Sequence, residues 1–340
     1  MNKVTVLALI LAVGLLSACS PQTPTAAPPS PAPATALPRK SGTIRFSQNG
    51  NASVKDVPLF MALDSLRDQG YTINVIVFAK SNLIPPALDK GDVDVASANT
   101  TATWAATAQG ADIRTVVARV NTSFYLVADK GIDHCRALDG KVIAFSTRQS
   151  VGYVMFEQYV ARNCAGIKPE IILVSESSDR VVALQAREVA AAYLELEDWL
   201  QLQERAPGQF HVLIDFAQEF PNIQQSTFSM RREWAQQHPE LVKDFVRALL
   251  TANRSVMANR QLLRDGIVKY LSIEAAQAQL LAGPYLAAGI WDANGGTTVE
   301  NIEYTLQFLR DGGILTADSK VEDVADLSYL NAVLAEIGRQ

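Results

Sequence analysis

Ala87-Leu88-Asp89-Lys90-Gly91-Asp92-Val93-Asp94-Val95-Ala96 aligns without gaps on Ala183-Leu184-Gln185-Ala186-Arg187-Glu188-Val189-Ala190-Ala191-Ala192. Each segment reads as a helix end, a tight turn and a buried strand. Each is followed within a few residues by a tryptophan, Trp104 and Trp199. A repeated helix–turn–strand unit points to two related lobes. Two unrelated units of similar composition are the alternative at this point.

Around both copies, strands alternate with helices. Thr43–Phe46 has the pattern of a first strand. Asp56 is placed to cap a helix that runs to Gly70, with Leu59, Ala62, Leu63 and Leu66 on one face. Ile73–Phe78 and Val93–Ala96 are further strands, and Arg114–Val120 and Phe124–Ala128 follow Trp104. The pattern then restarts: strand Lys141–Phe145, helix Val151–Arg162, strand Ile171–Val174, and a helix capped by Ser178. Strands Val189–Tyr193 and Val212–Phe216 come next, and Ser226–Met230 returns. From Arg231 the sequence is mostly helical, and those helices are expected to pack back on the first lobe. This alternation predicts an α/β fold in which each lobe is a mainly parallel sheet flanked by helices.

The N-terminal residues have a different character. Lys3 precedes an apolar run, Val4–Leu16, that is shorter than the roughly 20 residues of a spanning helix. Such a run reads as a secretory signal. Leu16-Ser17-Ala18-Cys19 resembles the lipobox of bacterial lipoproteins, which implies cleavage after residue 18 and acylation of Cys19. Residues 19–40 form a tether rich in Pro, Ala, Thr and Ser, too poor in apolar residues to bury a core. In polyproline II it spans roughly 60 Å at about 3.1 Å per residue.

The rest, residues 41–340, is long enough for two lobes. The net charge of −5, with no basic cluster, argues against a nucleic-acid partner. With Cys19 acylated, Cys135 and Cys164 remain. An oxidising compartment favours a disulfide between them, with two reduced, buried thiols as the alternative. No metal-ligand spacing is present, and no cofactor is expected.

In their order and spacing, several stretches together resemble a known family. They are Val57-Pro58-Leu59-Phe60-Met61-Ala62, Ala87-Leu88 with Gly91-Asp92-Val93-Asp94, Gly110-Ala111-Asp112, Leu138-Asp139-Gly140-Lys141-Val142 and Arg231–Arg247 with His238-Pro239-Glu240. The chain resembles the type II periplasmic solute-binding proteins of ABC importers, in the group that binds nitrate, sulfonates, taurine and thiamine-pyrimidine precursors or related vitamins. Two departures separate it from that pattern. The second-lobe turn has Arg187-Glu188 and Ala190 where Gly and an acidic pair are usual, and the first loop lacks an aromatic. The resemblance implies lobe 1 over residues 41–128 and 226–340 and lobe 2 over 129–225, joined by two strand crossings. It also implies a monomer that binds a small molecule between its lobes and delivers it to a permease with its ATPase, touching the membrane through the lipid anchor only.

Open α/β sheets bind ligands beyond the carboxyl ends of their strands. In lobe 1 those loops offer Gln48, Asn49 and Asn51, then Ser97, Asn99, Thr100 and Thr101. All are neutral donors and acceptors, and all are also ordinary turn residues. In lobe 2, Arg148 and Ser150 stand at a helix N-terminus, where free N–H groups attract an anion, and Tyr153 lies one turn in. Tyr193 and Glu195 end the echoed strand. Ser123 and Phe228 flank the two crossings. Glu195, Tyr153, Tyr193 and the Asn/Thr loop favour a vitamin-, pyrimidine- or flavin-like heterocycle. Arg148 favours a sulfonate, taurine, nitrate or carboxylate. No nucleophile–base arrangement accompanies them, so binding is expected rather than catalysis; a sensor module or a pyrimidine-forming enzyme is the rival of another class.

Overall fold

The computed structural model describes residues 40–78, 81–148, 150–315 and 318–340. The expected signal, Cys19 and all of the expected tether but Lys40 lie outside these residues. The chain runs through β1 (Thr43–Asn49), α1 (Val57–Gln69), β2 (Thr72–Phe78), α2 (Ile84–Lys90), β3 (Val95–Asn99), α3 (Thr100–Ala108) and β4 (Ile113–Val120). It continues through β5 (Phe124–Asp129), β6 (Val142–Phe145), α4 (Val151–Asn163), β7 (Glu170–Leu173), α5 (Ser177–Gln185), β8 (Ala191–Glu195), α6 (Leu196–Arg205), β9 (Phe210–Asp215) and the short α7 (Phe216–Glu219). After β10 (Ser226–Arg231) come α8 (Arg232–Gln237), α9 (Pro239–Ala258), α10 (Arg260–Leu271), α11 (Ala275–Ala287), α12 (Val299–Asp311), α13 (Val321–Val324) and α14 (Ser328–Ile337).

Two five-stranded sheets result, ordered β2-β1-β3-β10-β4 and β7-β6-β8-β5-β9. Both are mixed. In the first, β1 pairs parallel with β2 and β3, while β10 runs antiparallel to β3 and β4. In the second, β6 pairs parallel with β7 and β8, while β5 runs antiparallel to β8 and β9. The reversed strand of each sheet is the one that has just arrived from the other lobe. The expectation of mainly parallel sheets therefore holds for four strands of each, and the crossing itself reverses the fifth.

The sequence echo is a structural repeat. Gly91 N–H donates to the Leu88 carbonyl and Asp92 N–H to Ala87; Arg187 and Glu188 do the same to Leu184 and Ala183. Asp94 N–H then bonds the Arg45 carbonyl at 2.7 Å, and Ala190 N–H bonds Val142 at 2.8 Å. These single bonds hold the chain before the ladders begin, so β3 and β8 both start and end later than the apolar pattern suggests. The left-handed turn position is Gly91 (φ 79°) in one copy and Arg187 (φ 60°) in the other.

Other differences from the expected layout have local causes. Lys40, placed in the tether, is tied to the body: its N–H bonds the Gln69 carbonyl at 3.0 Å and its ammonium pairs with Asp244. Because β5 belongs to the second sheet, the first crossing is the short link 121–123, ahead of the expected 128/129 boundary. Helix α5 begins at Ser177, with Glu176 rather than the expected Ser178 at the cap position, and the Ser177 hydroxyl accepts the Glu195 N–H at 3.0 Å. Asp56 stands at the start of α1, but its carboxylate is turned to Arg119 rather than capping the helix.

The C-terminal helices do not all return to lobe 1. Helices α9 and α14 pack with α1 and β4 around Phe46, Phe228 and Phe245. Helix α12 instead lies on lobe 2. Phe308 meets Phe220 edge-on at 5.5 Å, its carbonyl accepts from Gln158 on α4, and Gly312 lies against Val154. The chain then comes back to α13, where Thr115 bridges to Ala325. Cys135 and Cys164 form a disulfide within lobe 2, with their Cα atoms 6.0 Å apart.

Candidate functional site

The carboxyl ends of β1 and β3 open beside the segment that leads into α1. There Gln48 and Asp56 are buried. Asp56 accepts from Arg119 at the end of β4, from the Ser53 N–H at 3.1 Å and from Gln48 Nε2 at 3.5 Å. This leaves several polar atoms without a hydrogen-bond partner among the described residues: Gln48 Oε1, Ser53 Oγ, Ser97 Oγ, Thr100 Oγ1, Arg119 Nε, Thr122 Oγ1, Gln225 Oε1 and Ser226 Oγ. Backbone pairing brings Thr100, Gln225 and Ser226 together with the ends of β3 and β4. Ser226 is paired with Asn99 on one side and Val120 on the other, and Thr100 N–H donates to the Gln225 carbonyl at 3.1 Å. Buried polar atoms are nearly always satisfied in folded proteins, so a cluster of orphans on one wall calls for a functional explanation.

The same positions in lobe 2 are aromatic. The echo and the matching registers place Gln48 opposite Phe145, Ser97 opposite Tyr193 and Ser226 opposite Phe124. Phe124 and Tyr193 stack at 4.5 Å with planes 3° apart, and Phe145 stacks on Tyr193 at 5.5 Å. Gly152, at the start of α4, makes room for the tyrosine: a Cβ there would lie 2.1 Å from its ring. Where lobe 1 presents small polar groups, lobe 2 has closed its strand ends with rings.

Lobe 2 contributes charge instead. Glu195 at the end of β8 accepts from Lys55 Nζ of lobe 1 at 2.5 Å. Burial works against its charge, but Lys55 first, then Arg119 and Arg180, hold its carboxyl below the ordinary glutamate value. The next acids behave in the opposite way. Burial and then the neighbouring carboxylates push Glu197 up, and burial is the main cause of the rise at Asp198. Arg180 is buried behind them and donates to the carbonyls of Tyr193, Val174 and Ser175 at 2.5–2.8 Å.

Besides Glu195, the residues expected from sequence fall into four groups. Gln48, Ser97, Asn99, Thr100 and Thr101 gather at the lobe 1 wall, with Asn49 at the tip of β1 and Asn51 exposed beyond it. Ser123 lies buried in the first crossing, its carbonyl accepting the Leu196 N–H at 3.1 Å. Arg148, Ser150 and Tyr153 form a separate group at the start of α4. The Ser150 hydroxyl caps the helix through the Tyr153 N–H at 3.2 Å, and exposed Arg148 folds onto the Tyr153 hydroxyl at 2.8 Å. Burial, chiefly, pushes that phenol up to about 12. Tyr193 and Phe228 are core residues: Tyr193 is enclosed by rings, and Phe228 is fully buried between Phe46 and Phe245.

Sequence reasoning did not single out Lys55, Arg119, Thr122, Gln225 or Ser226. Lysine in a polar loop has the signature of a solvated residue. Arg119, a charge inside an apolar strand, is a signal that the sequence does carry, although its partner Asp56 is not legible there.

A family model described as NMT1/THI5 like matches residues 65–261. No curated protein matches the chain. Solved structures share its fold. One is the ligand-binding component of an ABC-type import system from Staphylococcus aureus with zinc bound, at 15% identity and TM-score 0.70, covering 86% of this chain and 98% of that one. The alkanesulfonate-binding protein SsuA from Xanthomonas axonopodis pv. citri, bound to MOPS, is 17% identical with TM-score 0.66, covering 84% and 98%. The periplasmic nitrate-binding protein NrtA from Synechocystis PCC 6803 is 13% identical with TM-score 0.68, covering 87% and 89%. With two mixed five-stranded sheets joined by strand crossings, this is the type II periplasmic-binding-protein fold, and the chain belongs to the NMT1/THI5-like family.

Proposed function

We propose that this protein is the solute-binding component of an ABC-type importer. It is exported, held at the membrane surface by acylated Cys19, and captures a small organic heterocycle of the vitamin, pyrimidine or flavin kind between its lobes for delivery to a permease. The observation that carries this reading is the row of orphaned neutral groups on lobe 1, from Gln48 through Ser97 and Thr100 to Ser226. The nearby charges are already matched, Arg119 with Asp56 and Lys55 with Glu195. A ligand that satisfies this wall therefore needs several ring N–H, carbonyl or hydroxyl groups and little net charge. A bare oxyanion would leave most of the wall without partners.

A second reading has its own support. Arg148, exposed at the start of α4, suits a sulfonate or carboxylate, and proteins of the same fold include sulfonate and nitrate binders. A thermal-shift series on the full chain separates the two, using pyrimidines, thiamine, flavins, sulfonates and carboxylates. A ligand at 100 times its Kd stabilises by about 2.7 kcal/mol. A shift with a heterocycle that disappears in Gln48→Ala and Thr100→Val supports the first reading. A shift confined to anions and lost in Arg148→Ala replaces it with the second. Release of the protein from membranes by Cys19→Ala tests the anchor.

A further inference from the structure

Two side chains from opposite lobes meet beside the first strand crossing, where Glu195 pairs with Phe124 and the Leu196 N–H reaches the Ser123 carbonyl. Lys55 stands in the segment between β1 and α1, and its backbone carbonyl is fixed by the Trp291 indole N–H at 3.1 Å. Glu195 closes β8, its N–H held by Ser177. The ammonium and carboxylate are 2.5 Å apart, and their side chains are only 16% and 33% exposed. Among the described residues this is the one ion pair that links the two sheets' lobes. Unlike the lobe 1 wall beside it, the pair is satisfied from within the protein.

We propose that Lys55 and Glu195 are a clasp that holds the lobes closed, rather than ligand contacts, and that Lys55 is a positioning residue acting on the ligand through closure. The inference rests on the receptor reading above. The division of labour follows from the two walls. Lobe 1 has the unpartnered groups that a solute can satisfy, whereas the aromatic ends of lobe 2 are already packed on one another. Lobe 2 therefore grips lobe 1 itself, through Glu195. Opening hydrates both charges and separates them, so the pair favours the closed arrangement by the difference between those two states. A clasp slows the escape of every ligand by a common factor, whereas a ligand contact discriminates between ligands.

The test needs no ligand. In the full chain, one dye is attached through an unnatural residue at each of the exposed positions Asp68 and Glu204, and single-molecule energy transfer reads the distribution between closed and open lobes. Lys55→Met and Glu195→Gln should each lower the closed-to-open ratio about tenfold, equivalent to about 1.4 kcal/mol. The swapped double variant, Lys55→Glu with Glu195→Lys, should restore it. Distributions unchanged in the single variants, or a swap no better than either single, overturn the clasp. If the single variants open but no solute gives a cleft-dependent thermal shift, the clasp stands and the receptor reading falls. A cleft-dependent shift without opening in the single variants has the reverse meaning.

Discussion

The two lobes share one topology and treat the ends of their strands in opposite ways. Gln48, Ser97 and Ser226 leave lobe 1 with small polar groups and orphaned atoms; Phe145, Tyr193 and Phe124 fill the same places in lobe 2. The turns differ as well. Lobe 1 has Gly91 at the left-handed position and follows it with Asp94, a buried carboxylate that takes the Arg45 N–H at 2.8 Å and its guanidinium. Lobe 2 has Arg187 and Ala190. Lobe 2 invests its strand ends in packing. Lobe 1 leaves its own unsatisfied and relies on a buttressed turn to hold them in place.

Exchanging residues between the lobes probes this contrast. Tyr193→Ser, which gives lobe 2 the residue of lobe 1, removes the centre of a stacked cluster and should destabilise by about 3–5 kcal/mol in chemical denaturation. A loss under about 1 kcal/mol would mean that the rings are not a packed unit. Asp94→Ala, which gives lobe 1 the residue of lobe 2, strands a part-buried backbone donor and breaks the pair with Arg45, and should cost about 2 kcal/mol. Arg187→Gly relieves a left-handed arginine at the expense of an exposed pair with Asp129 and a more flexible unfolded chain. A net gain of about 0.5 kcal/mol in the same assay is expected. Ser97→Ala should change the stability of the free protein by less than about 0.5 kcal/mol, since its hydroxyl has no partner to lose. It should nevertheless reduce the ligand-induced thermal shift. Stability and binding would then be separated at one atom.

Much of the fold was legible because it rests on short-range signals. The repeat at Ala87 and Ala183, the glycine that ends α1 and the apolar periods of both halves all predicted the architecture. What escaped was set by distant partners. Asp56 has the chemistry of a helix cap, and only Arg119, far along the chain, turns it into a cleft residue. Tyr193 and Phe228 stand where a ligand contact is expected, but each lies one repeat deeper along its strand than Glu195 or Ser226 and is enclosed by core rings. Glu195 is legible as a carboxylate at a strand end; its partner Lys55 is not, because nothing local distinguishes a clasping lysine from a solvated one. The lobe 1 wall was read in part, through Gln48, Ser97 and Thr100. Ser226 and Gln225 join it only through the return of β10 beside β3.

The placement of α12 bears on how the molecule is made. Phe308 and Gly312 complete the packing around α4 and Phe220, yet they come after the whole of lobe 2 in the chain. During synthesis from the N-terminus, the apolar surface over Val154 and Phe220 stays uncovered until residues near 312 have emerged. A partly made chain therefore has no finished second half to fold early, and it stays open to aggregation or to a holding chaperone until residues near 312 are present.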